Sequence, residues 1–416
     1  MIASRLDCGL QYAVRRSGSA VAYCALSIRC GTRDEDGFHS GIAHFTEHTI
    51  FKGTARKSAS VINGFLDRFG GELNAYTTKE EIVIHATVLK EDLPKAVALL
   101  LELATSSIFP TAEIEVEKGV VIDEINSYKD SPADDVYDRF EEALFSGHPL
   151  GRSILGTAAS VRKITSEELQ RFAKTHFTPE RMALTVVADI DEKRLESSTL
   201  RIIRKFFPDG CAGTESSADC SNMPAESIAL KENHFDKTID KRNHEVNAVI
   251  VGYAPSLYEQ RERIIAVLLA NILGGPASNS ILNRELREKH GWVYGVECSY
   301  TQYRDSGIIV ISLGCDKENL EKCFRAVRRA IDGLKQAPLS QRRLTAAKKQ
   351  LLGQLAISSD NGETQCLSMG KSLLAFGHIA SDEQNRAAIE SITAEELQAT
   401  AVRIFDESRL SRLVYL

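Results

Sequence analysis

Two histidines and a glutamate, His44, Glu47 and His48, stand in the order H-x-x-E-H within the run from Gly41 to Phe51. On a helix, residues i, i+3 and i+4 share one face, so both imidazoles and the carboxylate converge. Two neutral imidazoles suit a borderline-soft cation such as zinc, and a third protein ligand leaves the fourth position for water. Zinc lowers the pKa of such a water to about 7, and a nearby carboxylate can take its proton and pass it to a leaving amine. The order reverses H-E-x-x-H, which is the inverzincin arrangement. With ten histidines in 416 residues, composition alone would produce this pattern in about one chain in fifty. The competing reading is a pair of surface histidines near an acid. Against it, Ile42, Ala43, Phe45 and Ile50 make the segment apolar nearly all round, and buried imidazoles need hydrogen bonds or a metal.

A third ligand must come from another element. Thr111 to Asn126 reads as a helix N-capped at Thr111 with acids in its first turn. Glu117 and Glu124 lie two turns apart on one face, among Val120, Val121 and Ile125 as expected packing residues. Glutamates within apolar neighbours call for something cationic, whereas Glu113 and Glu115 read as a solvated stripe.

The elements that must position these residues come in two sets. Ile164 to Gln170 recurs as Ile392 to Gln398 with six identities in seven residues, an offset of 228. Each copy places Thr at a helix N-cap and Glu three residues later (Thr165 with Glu168, Thr393 with Glu396), the pattern of a capping box. A strand follows each, which argues for duplication. The stretch 209–227 is rich in Ser, Asp, Ala and Gly and reads as a linker between halves at 1–208 and 228–416. Strand-like runs beginning at Val21, Glu81, Val246 and Gly307 alternate with helices of 12 or more residues. The expected fold is α+β: two homologous sandwiches, each a mixed, mostly antiparallel sheet with helices packed on it. The second half has no His/Glu cluster, so metal chemistry falls to the first.

Bulk properties exclude several classes. A net charge of −6 offers no basic footprint for nucleic acid, and no apolar run is long enough to span a bilayer. Nine scattered cysteines, none in C-x-x-C, argue against a disulfide framework. The N-terminal residues show no apolar run with a cleavage site, so the expected compartment is the cytoplasm.

With these residues in hand, the chain resembles the pitrilysin/insulysin family, its short bacterial and mitochondrial-processing-peptidase-like branch. The resemblance rests on Gly31-Thr-Arg-Asp-Glu35, His44–His48, Phe51-Lys-Gly-Thr54, Gly70 to Thr77, Glu117 and Glu124, Gly147 to Gly151, and Leu286 to Tyr294. It implies that His44, His48 and Glu124 bind one zinc per subunit and that Glu47 is the general base. It implies that Glu117 orients a ligand, the kind of outer partner that tunes a metal site. It further implies that Asn74, Ala75 and Tyr76 form an edge strand on which an extended peptide pairs. In that family Arg287 and Tyr294 would reach the substrate carbonyl and developing oxyanion, a task for fixed donors. The run Gly274 to Ser280 departs from the family's glycine-then-serine pattern. For short members a closed chamber needs two chains, so the expectation is a homodimer with the site completed in trans. The implied function is zinc-dependent endopeptidase action on peptides or small unfolded polypeptides. The alternatives are a non-catalytic binding subunit of the same fold, or a metal-dependent hydrolase of another substrate class. His85 reads as a satisfied sheet residue and His148 as a loop residue.

Overall fold

The structure, a computed structural model, describes residues 1–208, 230–242 and 244–416. The expected linker at 209–227 lies outside the described residues. Strands β1 (Ile2–Arg5), β2 (Gln11–Arg16), β3 (Val21–Ile28), β4 (Glu72–Thr77), β5 (Ile82–Leu89) and β6 (Met182–Ala188) form one sheet, ordered β1-β2-β6-β3-β5-β4. Strands β7 (Asp236–Ile239), β8 (Val246–Ala254), β9 (Val293–Gln302), β10 (Gly307–Cys315) and β11 (Ser411–Tyr415) form a second, ordered β7-β11-β8-β10-β9. Pairing is parallel only at β2/β6 and β7/β11 and antiparallel elsewhere. The arrangement β6-β3-β5-β4 is repeated as β11-β8-β10-β9. The expected α+β fold of two similar, mostly antiparallel halves is what the chain adopts.

Every residue of β6 is buried, as are most of β3. A strand buried on both faces needs cover on both. In the first unit Leu93–Ser106 covers one face and Gly362–Phe376 the other, where Cys366, Met369 and Leu373 meet Ala25, Val83 and Ala183. In the second unit Gln260–Gly274 covers one face, while Val136, Phe140 and Leu144 of Pro132–Leu144 meet Val249, Val251 and Leu413 on the other.

Each sheet thus recruits a helix from the opposite part of the sequence. The first compact unit comprises Met1–Asn126, the described part of Arg152–Ala225, and Ile357–Ile379; the second holds Ser127–Gly151, the described part of Glu226–Ala356, and Ala380–Leu416. Boundaries at 208 and 228 therefore differ from the compact units by two exchanged stretches.

The repeated N-caps form, with one difference. Thr393 accepts from Glu396 N–H at 3.1 Å while Glu396 accepts from Thr393 N–H at 2.8 Å, completing a capping box. Thr165 accepts from Glu168 N–H at 3.3 Å, but the Glu168 carboxylate turns instead to His39, whose backbone N–H lies 2.9 Å away. The first expected box is only half made, because His39 offers both a backbone and a ring donor.

Candidate metal centre

The H-x-x-E-H run lies on a short helix, Ile42–Thr49. Its start is held from outside. Gly41 has φ +88°, and a Cβ there would lie 2.7 Å from Leu155 O, so only glycine fits. The buried Glu35 carboxylate accepts from Gly41 and Ala43 N–H at 3.1 Å, taking up free amides at the helix N-terminus. Burial pushes the Glu35 carboxyl up to about 8, against the opposing pull of those amides, Arg152 and Lys79. Thr46 and Thr49 turn their hydroxyls back to Ile42 O and Phe45 O at 2.7 and 2.6 Å, so the inner face keeps no unpaired hydroxyl.

The helix period then brings the two imidazoles together, with ring centroids 4.6 Å apart. Glu124, on the helix Thr111–Asp130, closes the group: its Oε2 lies 3.7 Å from His44 Nε2 and 3.4 Å from His48 Nε2. The three donor atoms all fall within 4.8 Å of one another. Burial, and then His48, pushes His44 down to about 3, which leaves it neutral and a ready ligand.

Glu117, two turns before Glu124, settles which nitrogen of His48 is free. His48 Nδ1 donates to Glu117 Oε1 at 2.8 Å, and Lys52 Nζ lies 2.6 Å from Glu117 Oε2. Burial raises the Glu117 carboxyl, but the bonds from His48 and Lys52 outweigh it and hold the group below its usual range. An ionised carboxylate only accepts, so Nδ1 carries the proton and Nε2 presents its lone pair toward Glu124. Burial would lower His48 as well; the Glu117 bond and the charges of Glu47, Glu124 and Glu117 together raise it. A cation must compete with a proton for His48 Nε2, so its affinity depends on pH.

Glu47 is half-buried, and its Oε2 accepts from Thr77 Oγ1 at 2.6 Å. Burial raises its pKa and the Thr77 bond opposes the rise. Three carboxylates (Glu47, Glu117, Glu124) face a single lysine (Lys52), an excess of two negative charges when all are ionised. Two neutral nitrogens, one carboxylate oxygen and that charge fit zinc(II).

Other expectations are met unevenly. β4 pairs only with β5 among the described strands, so Asn74, Ala75 and Tyr76 do lie on a sheet edge, with Asn74 exposed. Arg287 is exposed on the π-helix Asn283–Lys289, and Gly291 at φ +61° follows it. Tyr294 is the second residue of β9, is 62% exposed, and donates to Asp316 Oδ1 at 2.7 Å. Val120, expected to pack beside Glu117 and Glu124, is exposed; Val121 and Ile125 take that role. The helix starts with Thr111 instead of being capped by it, since Ile114 N–H bonds Pro110 O at 3.0 Å. His85 Nδ1 pairs with Glu363 at 3.1 Å, a satisfied sheet residue. His148 is a loop residue, buried, whose Nδ1 accepts from Leu150 N–H at 3.2 Å.

Thr77, Lys52 and Glu35 were not singled out from sequence. All three fall within the quoted runs, yet their partners are 30, 65 and 6 to 8 positions away, and only the fold pairs them.

Comparison with known proteins finds relatives over most of the chain. The family described as Insulinase (Peptidase family M16) matches residues 12–158, and the one described as Peptidase M16 inactive domain matches 163–351. An uncharacterized zinc protease of Mycobacterium tuberculosis is 31% identical over 374 residues, covering 90% of this chain and 83% of the relative. The chain belongs to peptidase family M16. Another relative, the uncharacterized zinc protease YmxG of Bacillus subtilis, is 29% identical over 388 residues, covering 93% of this chain and 91% of the relative. The crystal structure of a protease from Helicobacter pylori superposes with a TM-score of 0.87 at 19% identity, covering 100% of this chain and 98% of the other. At that identity the likeness speaks for the M16 fold alone. Among the described residues no helix is long and apolar enough to cross a membrane.

Proposed function

We propose that this M16 chain is a zinc-dependent endopeptidase that hydrolyses peptides or small unfolded polypeptides. The observation that carries this reading is the His48–Glu117 bond, which turns His48 Nε2 toward Glu124 and His44 and leaves Glu47 beside the group. His44, His48 and Glu124 would hold one zinc per subunit; when bound, it supplies a Lewis acid for the scissile carbonyl and an acidified water.

The chain's own residues do the rest. Glu47 takes the proton of the attacking water and hands it to the leaving nitrogen, which departs as a neutral amine. Glu117 keeps His48 in the tautomer that ligates. The open edge of β4 offers the backbone of Asn74, Ala75 and Tyr76 to an extended peptide, which reads main chain more than side chain. Arg287 and Tyr294, both exposed donors, would meet the substrate carbonyl and oxyanion of a partner chain in a homodimer enclosing the peptide. The cytoplasm is the compartment proposed, on the odd and scattered cysteines.

The test is metal analysis together with cleavage of a mixed peptide library by the protein and its Glu47→Gln variant. Bound zinc with cleavage lost on substitution is expected. Cleavage that survives Glu47→Gln would remove the assigned base; neither zinc nor cleavage would favour a non-catalytic binding subunit.

A further inference from the structure

A general base needs a fixed direction as well as a suitable pKa, and Glu47 takes its direction from one hydrogen bond, the 2.6 Å contact from Thr77 Oγ1 to Oε2. Thr77 ends β4, where the backbone is pinned from both sides. On one side Thr77 is in register with Ile82 of β5. On the other, Thr78 N–H donates to Glu81 O at 2.8 Å, and the Thr78 hydroxyl accepts from Glu80 and Glu81 N–H at 3.2 and 3.0 Å.

This turn is tied to the loop that carries the metal helix. Thr32 and Arg33 N–H donate to Thr78 O and Lys79 O at 3.3 and 3.0 Å. Gly31 lies so close that a Cβ would sit 2.4 Å from the backbone of Lys79 and Glu80. Four residues on, Glu35 clamps Gly41 and Ala43 at the start of Ile42–Thr49. Donor and acceptor therefore hang on one backbone frame, and the hydroxyl is placed before any substrate arrives.

We infer that Thr77 is the positioning residue for the general base: it ties up Glu47 Oε2 so that Oε1 is the oxygen that exchanges the proton. The inference rests on the peptidase reading above. With Glu47 ionised, Oε2 accepts from Thr77. After Oε1 takes the proton from water, Oε2 becomes the carbonyl oxygen of the acid and still accepts. The same proton leaves from Oε1 to the departing nitrogen, so Thr77 neither gains nor loses one. Rotation of the carboxylate would break this bond in a half-buried site, where an unmade hydrogen bond is expensive. Because Asn74, Ala75 and Tyr76 lie on the same strand, peptide paired to β4 would be registered against the base that activates the attacking water. This is how a residue that touches no reacting atom acts on the chemical step.

The experiment compares Thr77→Val, Thr77→Ala and Thr77→Ser in the full chain loaded with zinc. For Thr77→Val the expected result is a kcat lowered about 10–100-fold, a KM changed less than about threefold, and unaltered zinc content and unfolding temperature. Thr77→Ser should restore kcat to within about threefold, since it returns the hydroxyl without the methyl. A peptide hydroxamate, whose hydroxyl proton would pass to Glu47, gives a readout without turnover; Thr77→Val should weaken its binding about tenfold. If Thr77→Val does not fold, Thr77→Ala and Thr77→Ser carry the same comparison. Unchanged kcat and hydroxamate affinity in the hydroxyl-less variants would overturn the inference while leaving the peptidase reading intact. A kcat loss that Thr77→Ser fails to restore would overturn it too, as a packing effect. A wild-type chain that neither cleaves peptide nor binds the hydroxamate would refute the peptidase reading, and the inference with it.

Discussion

The helix that follows the first central strand is Ile42–Thr49 in one unit and Gln260–Gly274 in the other, and the two carry different chemistry. The first presents His44, Glu47 and His48. The second is packed with Ile265, Leu268, Leu269 and Leu273. Facing each comes a helix of 20 residues, Thr111–Asp130 and Gln341–Asp360. Glu124 and Gln354 hold the same place in these two helices, and their neighbours answer them in kind. Glu124 meets two imidazoles; Gln354 Oε1 accepts from Asn271 Nδ2 at 2.6 Å. The amide pair is neutral and satisfies itself. The carboxylate-rich group does not, and a divalent cation would balance it. One frame used twice has kept a metal-ready junction in one copy and a structural hydrogen bond in the other, and a few side chains make the difference.

Copying the second unit's chemistry into the first should break the site most severely. Glu124→Gln removes an anionic ligand, and bound zinc and peptide cleavage are both expected to be lost; metal analysis after dialysis reads the outcome. Glu47→Gln should leave zinc in place while cleavage falls about 100-fold or more, which steady-state kinetics would show.

In the second unit a substitution should touch stability alone. Asp135, on the exchanged helix Pro132–Leu144, accepts from Lys241 Nζ at 2.9 Å and Tyr415 Oη at 2.8 Å. Burial raises its carboxyl, but those two bonds and the nearby positive charges outweigh it and hold the group below the usual range. A depressed carboxylate stabilises the fold above its unfolded pKa and loses that contribution as pH falls through the folded pKa. Asp135→Asn is therefore expected to lose about 1–3 kcal/mol at pH 7, with the gap from wild type closing below about pH 4; denaturant unfolding at several pH values checks it. The smallest effect is expected of Gln354→Ala, about 1 kcal/mol, with zinc content unchanged.

The comparison also shows where sequence reading reaches and where it stops. The motif and its seven-residue glutamate spacing were legible because a helix converts fixed separations into a shared face. The duplication was legible in the Thr165 and Thr393 segments, and with it two sheets of like order. The exchange of Pro132–Leu144 and Gly362–Phe376 was not, because an apolar helix face does not name the sheet it will cover. Val120 misled for a related reason: position among glutamates says nothing of which side of a long helix meets protein. Glu168 shows that a local pattern loses to a better distant donor, here His39. Thr77 and Lys52 depend on strand register and on the end of a short helix, features that follow from tertiary packing.

The central claim, that one unit holds zinc and its counterpart does not, is tested most directly by anomalous diffraction at the zinc edge from crystals of the zinc-loaded protein. The account predicts one peak per chain, about 2.0–2.2 Å from His44 Nε2, His48 Nε2 and a Glu124 oxygen, and none between Asn271 and Gln354. A zinc-loaded crystal with no peak at the first position, or with its peak at the second, would contradict it.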